Sequence, residues 1–269
     1  MQNIKEYTEA RKLEIRQLVD TLSKKPTLAI IKVGYVEASS RYVKNKIKDC
    51  TEVGIPTKLI QLEATITESE LISKIKELNN DPEITGFIVQ LPLPSHIKEA
   101  HVIETITPEK DVDGFSKLAL VNPGTPQGVI NYLEAQNYDF RDKNAVVLGR
   151  SNIVGMPLSQ LLLAKNCNVT VLHSKTSESN KKVYLENADL ICTAAGKANL
   201  ITSEYKLKPT AVIYDIGINF TVEGKLVGDC APNLPVAFQS PVPGGAGLTT
   251  RLALITNLLK LQTLQNTIC

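Results

Sequence analysis

A tyrosine and a lysine that lie four residues apart are the first pair in this chain whose types and spacing suggest acid–base chemistry. Tyr42 and Lys46 fall in a segment that we expect to be helical, so both side chains leave the same face of that helix. Val43, Ile47 and Cys50 form an apolar stripe beside the pair, which would bury that side of the helix. An amine next to a phenol can move protons to and from a bound substrate, although two surface residues would show the same spacing.

Three further polar residues occupy positions at which α/β proteins commonly bind ligands. Gln90 closes the third expected strand, in VQLPLP, and parallel sheets place their ligand chemistry at the carboxyl ends of their strands. Asp111 and Asp113 lie in PEKDVDG, within a break between the expected domains. A carboxylate there can accept two hydrogen bonds from an amino-pyrimidine edge, or it can form a turn by bonding its own backbone. Both roles fit the local sequence.

A glycine turn in the second half of the chain is typical of nucleotide binding. Residues 145–155, AVVLGRSNIVG, predict a strand, a tight turn at Gly149 and a helix that starts near Ser151. Such a turn presents N–H groups and the positive end of a helix dipole, which together hold a pyrophosphate. The spacing G-R-S-x-x-x-G differs from the full fingerprint G-x-G-x-x-G, so an ordinary strand-to-helix turn is the alternative.

The end of the next strand predicts which dinucleotide would bind. An NAD site usually has Asp or Glu there to bind the ribose 2′-hydroxyl, whereas this chain has His173, Ser174, Lys175 and Thr176. A hydroxyl, a cation and the nearby Arg150 suit a 2′-phosphate, which favours NADP as the cofactor. A solvated basic turn is the alternative.

The scaffold for these residues is an alternation of strands and helices. In the first half we expect strands at 27–33, 57–62 and 84–91, and helices at 4–24, from Ser39 or Ser40 to Val53, from the Thr67 capping box to Asn79, and at 96–105. In the second half we expect strands at 144–149, 168–172, 188–195 and 211–217, and helices at 126–136 (capped by Thr125), 151–165, 178–187 and after the loop 240–247. The proline- and glycine-rich stretch 107–128 predicts a boundary. The expected fold class is therefore α/β, with two α/β domains around a cleft.

Composition narrows the class of protein. The 269 residues include 30 basic and 28 acidic ones, and this near balance argues against a nucleic-acid-binding protein. The chain is 43% apolar and 22% charged, which is typical of a soluble globular protein, and no apolar run is long enough to cross a membrane. Five scattered cysteines without a CxxC pair support neither a disulfide framework nor a metal site, so we expect a reduced, cytoplasmic enzyme.

Eight segments of the chain, read in order, resemble one enzyme family. They are VGYVEASSRYVKNKIKDCTEVGI, GFIVQLPLP, PEKDVDGF, TPQGV, VVLGRSNIVGMPLSQLL, YDIGIN, GKLVGD and PVPGGAG, and they extend over nearly the whole chain. In combination they resemble the bifunctional methylenetetrahydrofolate dehydrogenase/cyclohydrolase family. The resemblance implies oxidation of 5,10-methylenetetrahydrofolate by NADP⁺ to the 5,10-methenyl cation, followed by hydrolysis of that cation to 10-formyltetrahydrofolate. It also implies a homodimer.

The resemblance assigns a role to each expected domain. Residues 1–121 would form a catalytic domain that binds tetrahydrofolate derivatives, and residues 122–248 a Rossmann-like domain that binds NADP. The last helix, at 249–269, would pack back on the first domain.

The same resemblance implies the site residues. Lys46 would catalyse water addition and ring opening, Tyr42 would stack on or orient the substrate, Gln90 would hold Lys46 in its working state, and Asp113 would bind the pterin edge. The cofactor would contact Gly149, Arg150, Ser151, Ile153, Ser174, Ile218 and Thr250. The substrate would contact Tyr42, Gln90, Asp113, Pro241, Gly244 and Gly245.

Two departures from the family pattern keep other functions open. The family's PCTP reads PGTP at 123–126, and the segment between DVDGF and that motif is shorter than usual. After PVPGG the chain has AGLTT at 246–250, where the family usually has VGPMT. One alternative is therefore a catalytically impaired paralogue that binds NADP or folate as a sensor or scaffold. Another is a monofunctional dehydrogenase, or one that uses NAD.

Overall fold

A computed structural model describes residues 1–35 and 37–268, without the side chains of residues 37, 38 and 268. The contacts divide the chain into two units: the first contains Glu9–Gly124 and Leu254–Cys269, and the second contains Met1–Thr8 and Thr125–Ala253. The expected boundaries after residues 121 and 248 lie a few residues before these divisions. The first eight residues belong with the second unit, although they were expected in the first domain. Cys269, the expected end of the last helix, lies outside the described residues.

The first half of the chain alternates helices and strands. Its elements are α1 (Ile4–Thr21), β1 (Leu28–Val33), α2 (Glu37–Glu52), β2 (Thr57–Leu62), α3 (Glu68–Asn80), β3 (Gly86–Val89) and α4 (Glu99–Thr105). The strands pair in parallel in the order β2-β1-β3, so the predicted βαβαβ arrangement is confirmed. All of β1 is buried because it is the central strand, whereas β2 lies at an edge and is partly exposed.

One side of this sheet carries a core shared with α3 and α4. Ile31 and Phe87 on the strands pack in one apolar cluster with Leu71 and Val102 on the helices. The predicted capping box of α3 is confirmed, because Thr67 and Glu70 exchange backbone-to-side-chain hydrogen bonds in both directions.

The helix that carries Tyr42 and Lys46 begins earlier than predicted. Its first residue is Glu37, so Ser39 and Ser40 lie in its first turn and not at its cap. Ser40 Oγ accepts a hydrogen bond from Lys32 Nζ. Serine suits both a cap and a first-turn contact, so local sequence did not distinguish the two. Val43 is buried, as the apolar stripe requires.

The second half of the chain forms a Rossmann-like sheet. Its elements are α5 (Gly124–Ala135), β4 (Asn144–Leu148), α6 (Gly155–Ala164), β5 (Asn168–Leu172), α7 (Glu178–Glu186), β6 (Leu190–Thr193), β7 (Val212–Asp215), β8 (Asn219–Phe220), β9 (Leu226–Val227), β10 (Phe238–Gln239) and α8 (Ala246–Ile268). Parallel strands follow the order β10-β7-β6-β4-β5. From β4 the chain runs to β5 on one side and then to β6 on the other. This reversal opens a ligand crevice at the carboxyl ends of β4 and β6.

Two helices of this half start at other residues than predicted. α5 begins at Gly124, so the expected cap Thr125 and the proline after it lie inside the first turn. α6 begins at Gly155 and not at Ser151, because the preceding residues form a turn in which Ser151 Oγ accepts the Val154 N–H at 3.2 Å. Strands β8, β9 and β10 were not predicted, since two residues are too few to show a period of two.

The last helix contributes to both units. From Leu254 onward α8 belongs to the first unit, where Asn257 Nδ2 donates hydrogen bonds to the carbonyl groups of Val112 at 3.0 Å and Asn122 at 2.9 Å. Among the helices of the described residues, α8 included, none combines the length and the apolar character that crossing a membrane requires.

Candidate functional site

An amine, an amide and a carboxylate from three separate segments meet in the first unit. Lys46 Nζ donates a hydrogen bond to Gln90 Oε1 at 3.3 Å and lies 4.0 Å from Asp113 Oδ1. The side chains of Lys46 and Asp113 are 13% and 18% exposed, so both charges are shielded but can still be reached by a ligand. The structure therefore brings together three residues that the sequence analysis selected independently. We call them the Lys46 cluster.

The end of β3 fixes the amide of this cluster. Gln90 follows β3 directly, and its backbone N–H donates to the carbonyl of Ile31 on β1 at 2.9 Å. Its side-chain Nε2 donates to the carbonyl of Leu91 at 2.7 Å. Because the NH₂ group is used there, the amide oxygen is the atom that faces Lys46.

The two aspartates of PEKDVDG have different roles. Asp111 is buried and forms the turn, since its two carboxylate oxygens accept the N–H groups of Gly114 at 2.9 Å and Ser116 at 2.8 Å. Asp113 is left to face Lys46. Burial raises the pKa of Asp113 above its ordinary value, the Lys46 charge opposes this, and the Asp111 charge adds to it. Asp113 therefore binds a proton more readily than an exposed aspartate does.

Tyr42 lies one turn before Lys46 on α2 and is 39% exposed. Within the described part of the chain, its hydroxyl has no hydrogen-bond partner. A free aromatic face on the same side of the helix as Lys46 can stack on a flat ligand. The structure thus places Tyr42 beside the Lys46 cluster without bonding it to the amine.

Gly149 allows the end of β4 to pass close to the end of β6. Its φ of +122° is rarely adopted by other residues, and a Cβ atom there would lie 2.4 Å from the carbonyl oxygen of Ala194. The Gly149 N–H donates to the carbonyl of Leu172 at 2.9 Å, which ties the turn to β5 as well. The turn is thus held between the two strands that flank β4.

The turn that follows Gly149 offers donors suited to a pyrophosphate. Over the residues that the structure describes, the backbone N–H groups of Ser151, Asn152 and Ile153 find no acceptor. All three residues are exposed, and they precede the first turn of α6. Free N–H groups and the positive end of a helix form an anion-binding site, so these residues fit the phosphates of a dinucleotide.

Arg150 and Ser174 follow two adjacent strands of the second sheet. Leu148 and Leu172, the last residues of β4 and β5, pair in the parallel register, and Arg150 and Ser174 each follow two positions later. Arg150, Ser174 and the adjacent Lys175 are all exposed. This edge therefore presents a guanidinium, a hydroxyl and an ammonium group, which fits a ribose 2′-phosphate.

The remaining residues expected near the cofactor and the cleft also lie in the second unit. Ile218 follows β7 and is 49% exposed, whereas the Thr250 hydroxyl donates to the Ala246 carbonyl at 2.7 Å inside α8. The loop that contains Pro241, Gly244 and Gly245 folds tightly, because a Cβ atom on Gly245 would lie 2.4 Å from the Pro241 carbonyl oxygen. Contact of these residues with cofactor or substrate stays a prediction.

The sequence analysis did not select two buried aspartates at the carboxyl edge of the second sheet. Asp215 ends β7 and Asp229 follows β9, in the segments YDIGIN and GKLVGD. A charged residue directly after a buried apolar run was the signal that could have found Asp215. Asp229 follows a two-residue strand and carried no such signal.

Comparisons with known proteins agree over nearly the whole chain. The catalytic-domain model of tetrahydrofolate dehydrogenase/cyclohydrolase matches residues 2–113, and the NAD(P)-binding-domain model matches residues 123–266. The bifunctional protein FolD of Brevibacillus brevis is 43% identical over 271 residues, which cover 95% of this chain and 93% of the relative.

Two solved structures extend these similarities to the fold. The bifunctional FolD dehydrogenase/cyclohydrolase of Campylobacter jejuni is 36% identical, has a TM-score of 0.93 and covers 98% of each chain. The FolD of Trypanosoma brucei, complexed with NADP cofactor and an inhibitor, is 28% identical, has a TM-score of 0.92 and covers 98% of this chain and 97% of its own.

Proposed function

Since the chain belongs to the tetrahydrofolate dehydrogenase/cyclohydrolase family, we propose that it catalyses two consecutive reactions at one folate carbon. It oxidises 5,10-methylenetetrahydrofolate with NADP⁺ to the 5,10-methenyl cation, and it hydrolyses that cation to 10-formyltetrahydrofolate. The Lys46 cluster carries the proposal, because it sets a shielded amine beside an amide and a carboxylate in the part matched by the catalytic-domain model.

Hydrolysis needs a group that manages protons next to the methenyl carbon. Water adds to this carbon and loses one proton, which gives a neutral carbinolamine. Its hydroxyl group then loses the second proton as the formyl C=O forms and the ring C–N bond breaks. The released nitrogen takes up one proton, so that one proton is released overall. In its neutral form, Lys46 Nζ receives a proton from water and returns one to the nitrogen. Gln90 holds the amine in place through its 3.3 Å hydrogen bond.

Asp113 supplies recognition of the substrate. Its carboxylate oxygens accept hydrogen bonds from the amino-pyrimidine edge of the pterin, while Tyr42 stacks on the adjacent part of the substrate. Lys46 and Asp113 lie within 4.0 Å of each other, so the recognised edge and the amine are set by one rigid group of side chains.

The dehydrogenase step requires the second unit to hold the cofactor. When bound, NADP⁺ accepts the hydride that leaves the methylene carbon. The free N–H groups of Ser151, Asn152 and Ile153 hold its pyrophosphate. Arg150 and Ser174 bind the 2′-phosphate and so select NADP over NAD. No protein group has to move a proton in this step, because hydride transfer releases none.

An assay of both reactions with both cofactors tests the proposal. The purified full chain is incubated with 5,10-methylenetetrahydrofolate and NADP⁺ or NAD⁺, and formation of reduced cofactor and methenyl absorbance are followed. Hydrolysis of added 5,10-methenyltetrahydrofolate is measured separately. We expect both reactions, with a preference for NADP⁺. Binding of NADP without turnover would indicate the sensor or scaffold, and oxidation without hydrolysis would indicate a monofunctional dehydrogenase.

We further propose that the chain is a homodimer and that it resides in a reducing compartment, the cytoplasm. The helix α6 exposes Met156 and Leu163, apolar side chains that a second copy could cover. The cysteines at positions 50, 167, 192 and 230 are free and buried, which suits a compartment in which thiols stay reduced. Light scattering of the purified chain measures its mass, and a monomeric mass would contradict the dimer.

A further inference from the structure

Two buried carboxylates lie at the carboxyl edge of the second sheet without a cationic partner. Asp215 and Asp229 are 2% and 0% exposed, and within the described part of the chain neither forms an ion pair. An isolated buried charge is costly, so other groups have to replace the water that each carboxylate loses. Backbone N–H groups do so here, and they come from loops that follow three different strands.

Asp229 fills an anion-binding concavity made by its own chain. Its Oδ2 accepts the N–H of Ala195 at 2.7 Å and of Gly196 at 3.2 Å, and its Oδ1 accepts the N–H of Lys197 at 2.8 Å. Gly196 has a φ of +64°, and this left-handed residue turns three successive N–H groups toward one point. Such a nest normally binds an external anion. In this chain the carboxylate of Asp229 takes the place of that anion and orders the loop.

The same carboxylate also holds the residue after Ile218. Asp229 Oδ1 accepts a hydrogen bond from Asn219 Nδ2 at 3.0 Å. On the other side, the N–H of Gly217 donates to Asp215 Oδ1 at 3.0 Å. Ile218 is therefore fixed by both of its neighbours, although its own apolar side chain is 49% exposed. The position of this side chain therefore depends on the hydrogen bonds of Asp215 and Asp229.

The two carboxylates act together. Asp215 Oδ1 accepts the N–H of Asp229 at 3.0 Å and its Oδ2 accepts that of Cys230 at 2.9 Å, so Asp215 positions the backbone that carries Asp229. The nest follows β6 directly, beside Ala194, whose carbonyl approaches the nucleotide turn at Gly149. The ordered loop therefore borders the crevice at the switch point of the sheet.

We propose that Asp229 is a positioning residue for the dinucleotide. It orders the loop 195–197 and, through Asn219, the Ile218 side chain, so that this wall of the crevice is formed before the cofactor binds. The inference rests on the proposed function, since it concerns how NADP is held. It predicts that loss of this carboxylate weakens NADP binding and the dehydrogenase reaction but leaves methenyl hydrolysis intact, because the Lys46 cluster lies in the other unit.

Asp229→Asn is the direct test. The amide NH₂ would face N–H donors, so part of the nest would lose its acceptor. We expect the Kd and the KM for NADP⁺ to rise about tenfold or more, with methenyl hydrolysis within about twofold of the parent. Circular dichroism and thermal unfolding report whether the variant is folded. Asn219→Ala removes the hydrogen bonds from Asn219 Nδ2 to Asp229 Oδ1 and to the Gly228 carbonyl, both at 3.0 Å, and leaves the nest at 195–197 in place. It is expected to raise the Kd about threefold.

Asp189→Asn is a matched control. Asp189 also accepts a backbone N–H, that of Asn144 at 2.9 Å, but it lies at the amino edge of the same sheet, next to the start of β6. This variant is expected to lower thermal stability without a selective change in the Kd for NADP⁺.

The inference is overturned if folded Asp229→Asn binds NADP⁺ as the parent does, or if its two activities fall in parallel. If Asp229→Asn does not fold, an unchanged Kd for Asn219→Ala overturns it, and a raised Kd supports it. If the unsubstituted protein binds NADP⁺ without turnover, only the proposed function is contradicted. The Kd measurements would still decide the role of Asp229. A parent that does not bind NADP⁺ would overturn both.

Discussion

Replacing Lys46 with methionine is expected to abolish hydrolysis of 5,10-methenyltetrahydrofolate while leaving the fold intact. Methionine is an unbranched side chain of similar length, and the Lys46 side chain is 13% exposed, so α2 keeps its packing and loses only the amine. Gln90 Oε1 then loses the donor at 3.3 Å, and Asp113 loses the positive charge at 4.0 Å.

The size of the effect follows from these two losses. A positioned acid–base group contributes about 10²- to 10⁴-fold to a rate, which corresponds to about 2.7–5.4 kcal/mol of transition-state stabilisation. The Lys46 charge also opposes the effect of burial on Asp113, so its removal raises the pKa of Asp113 further. A protonated Asp113 accepts fewer hydrogen bonds from the pterin. We therefore expect kcat to fall about 10³-fold and KM to rise several-fold.

The assay follows the decay of methenyl absorbance, with the rate measured in the absence of enzyme subtracted. Lys44→Met is the matched control, because Lys44 lies two residues away on the same helix and is exposed. Circular dichroism and thermal unfolding report on the fold of both variants. Hydrolysis by Lys46→Met at the rate of Lys44→Met would refute the role of the amine.

Three other substitutions test the remaining parts of the site. Gly149→Ala should weaken NADP⁺ binding by about tenfold or more, because its Cβ would lie 2.4 Å from the Ala194 carbonyl oxygen; an unchanged Kd in a titration would show that the turn tolerates a side chain. Arg150→Ala should reduce the ratio of kcat/KM for NADP⁺ to that for NAD⁺ by about 10-fold or more, and equal losses with both cofactors would argue against a 2′-phosphate contact. Burial raises the pKa of Asp113, so an ionised Asp113 costs folding free energy. The free energy of unfolding of the parent protein should therefore fall, relative to that of Asp113→Asn, as the pH rises from the ordinary aspartate pKa through the raised one. Urea unfolding at several pH values measures this difference, and a rise in the relative stability of the parent protein over that range would contradict the prediction.

The sequence identified the candidate site residues of the first unit, but it did not distinguish the roles of the two aspartates. The sequence alone identifies Tyr42, Lys46, Gln90 and Asp113 as candidates. The choice between Asp111 and Asp113 was open, because two aspartates in one turn have the same local preferences. The fold resolved it, since Asp111 bonds the N–H groups of Gly114 and Ser116 and only Asp113 faces the amine.

The residue at which each helix begins could also be predicted only in part. The capping box at Thr67 was found because both of its hydrogen bonds join residues three positions apart. Ser39, Ser40 and Thr125 look equally suitable as caps, but they lie inside helices. Their hydroxyl groups can be used by distant partners, such as Lys32 for Ser40, and no local pattern records such a partner.

The sequence by itself determined the order and type of most strands and helices, the family, and the turn at Gly149, because each depends on residues that are neighbours in the chain. Only the tertiary structure decided which aspartate faces Lys46 and that Asp229 occupies the nest at residues 195–197. These contacts join residues that are tens of positions apart, and their hydrogen bonds form only after the strands have paired. Hydrophobic periodicity indicates which segments form strands and helices, but it carries no information on which polar groups will meet at the end of the sheet.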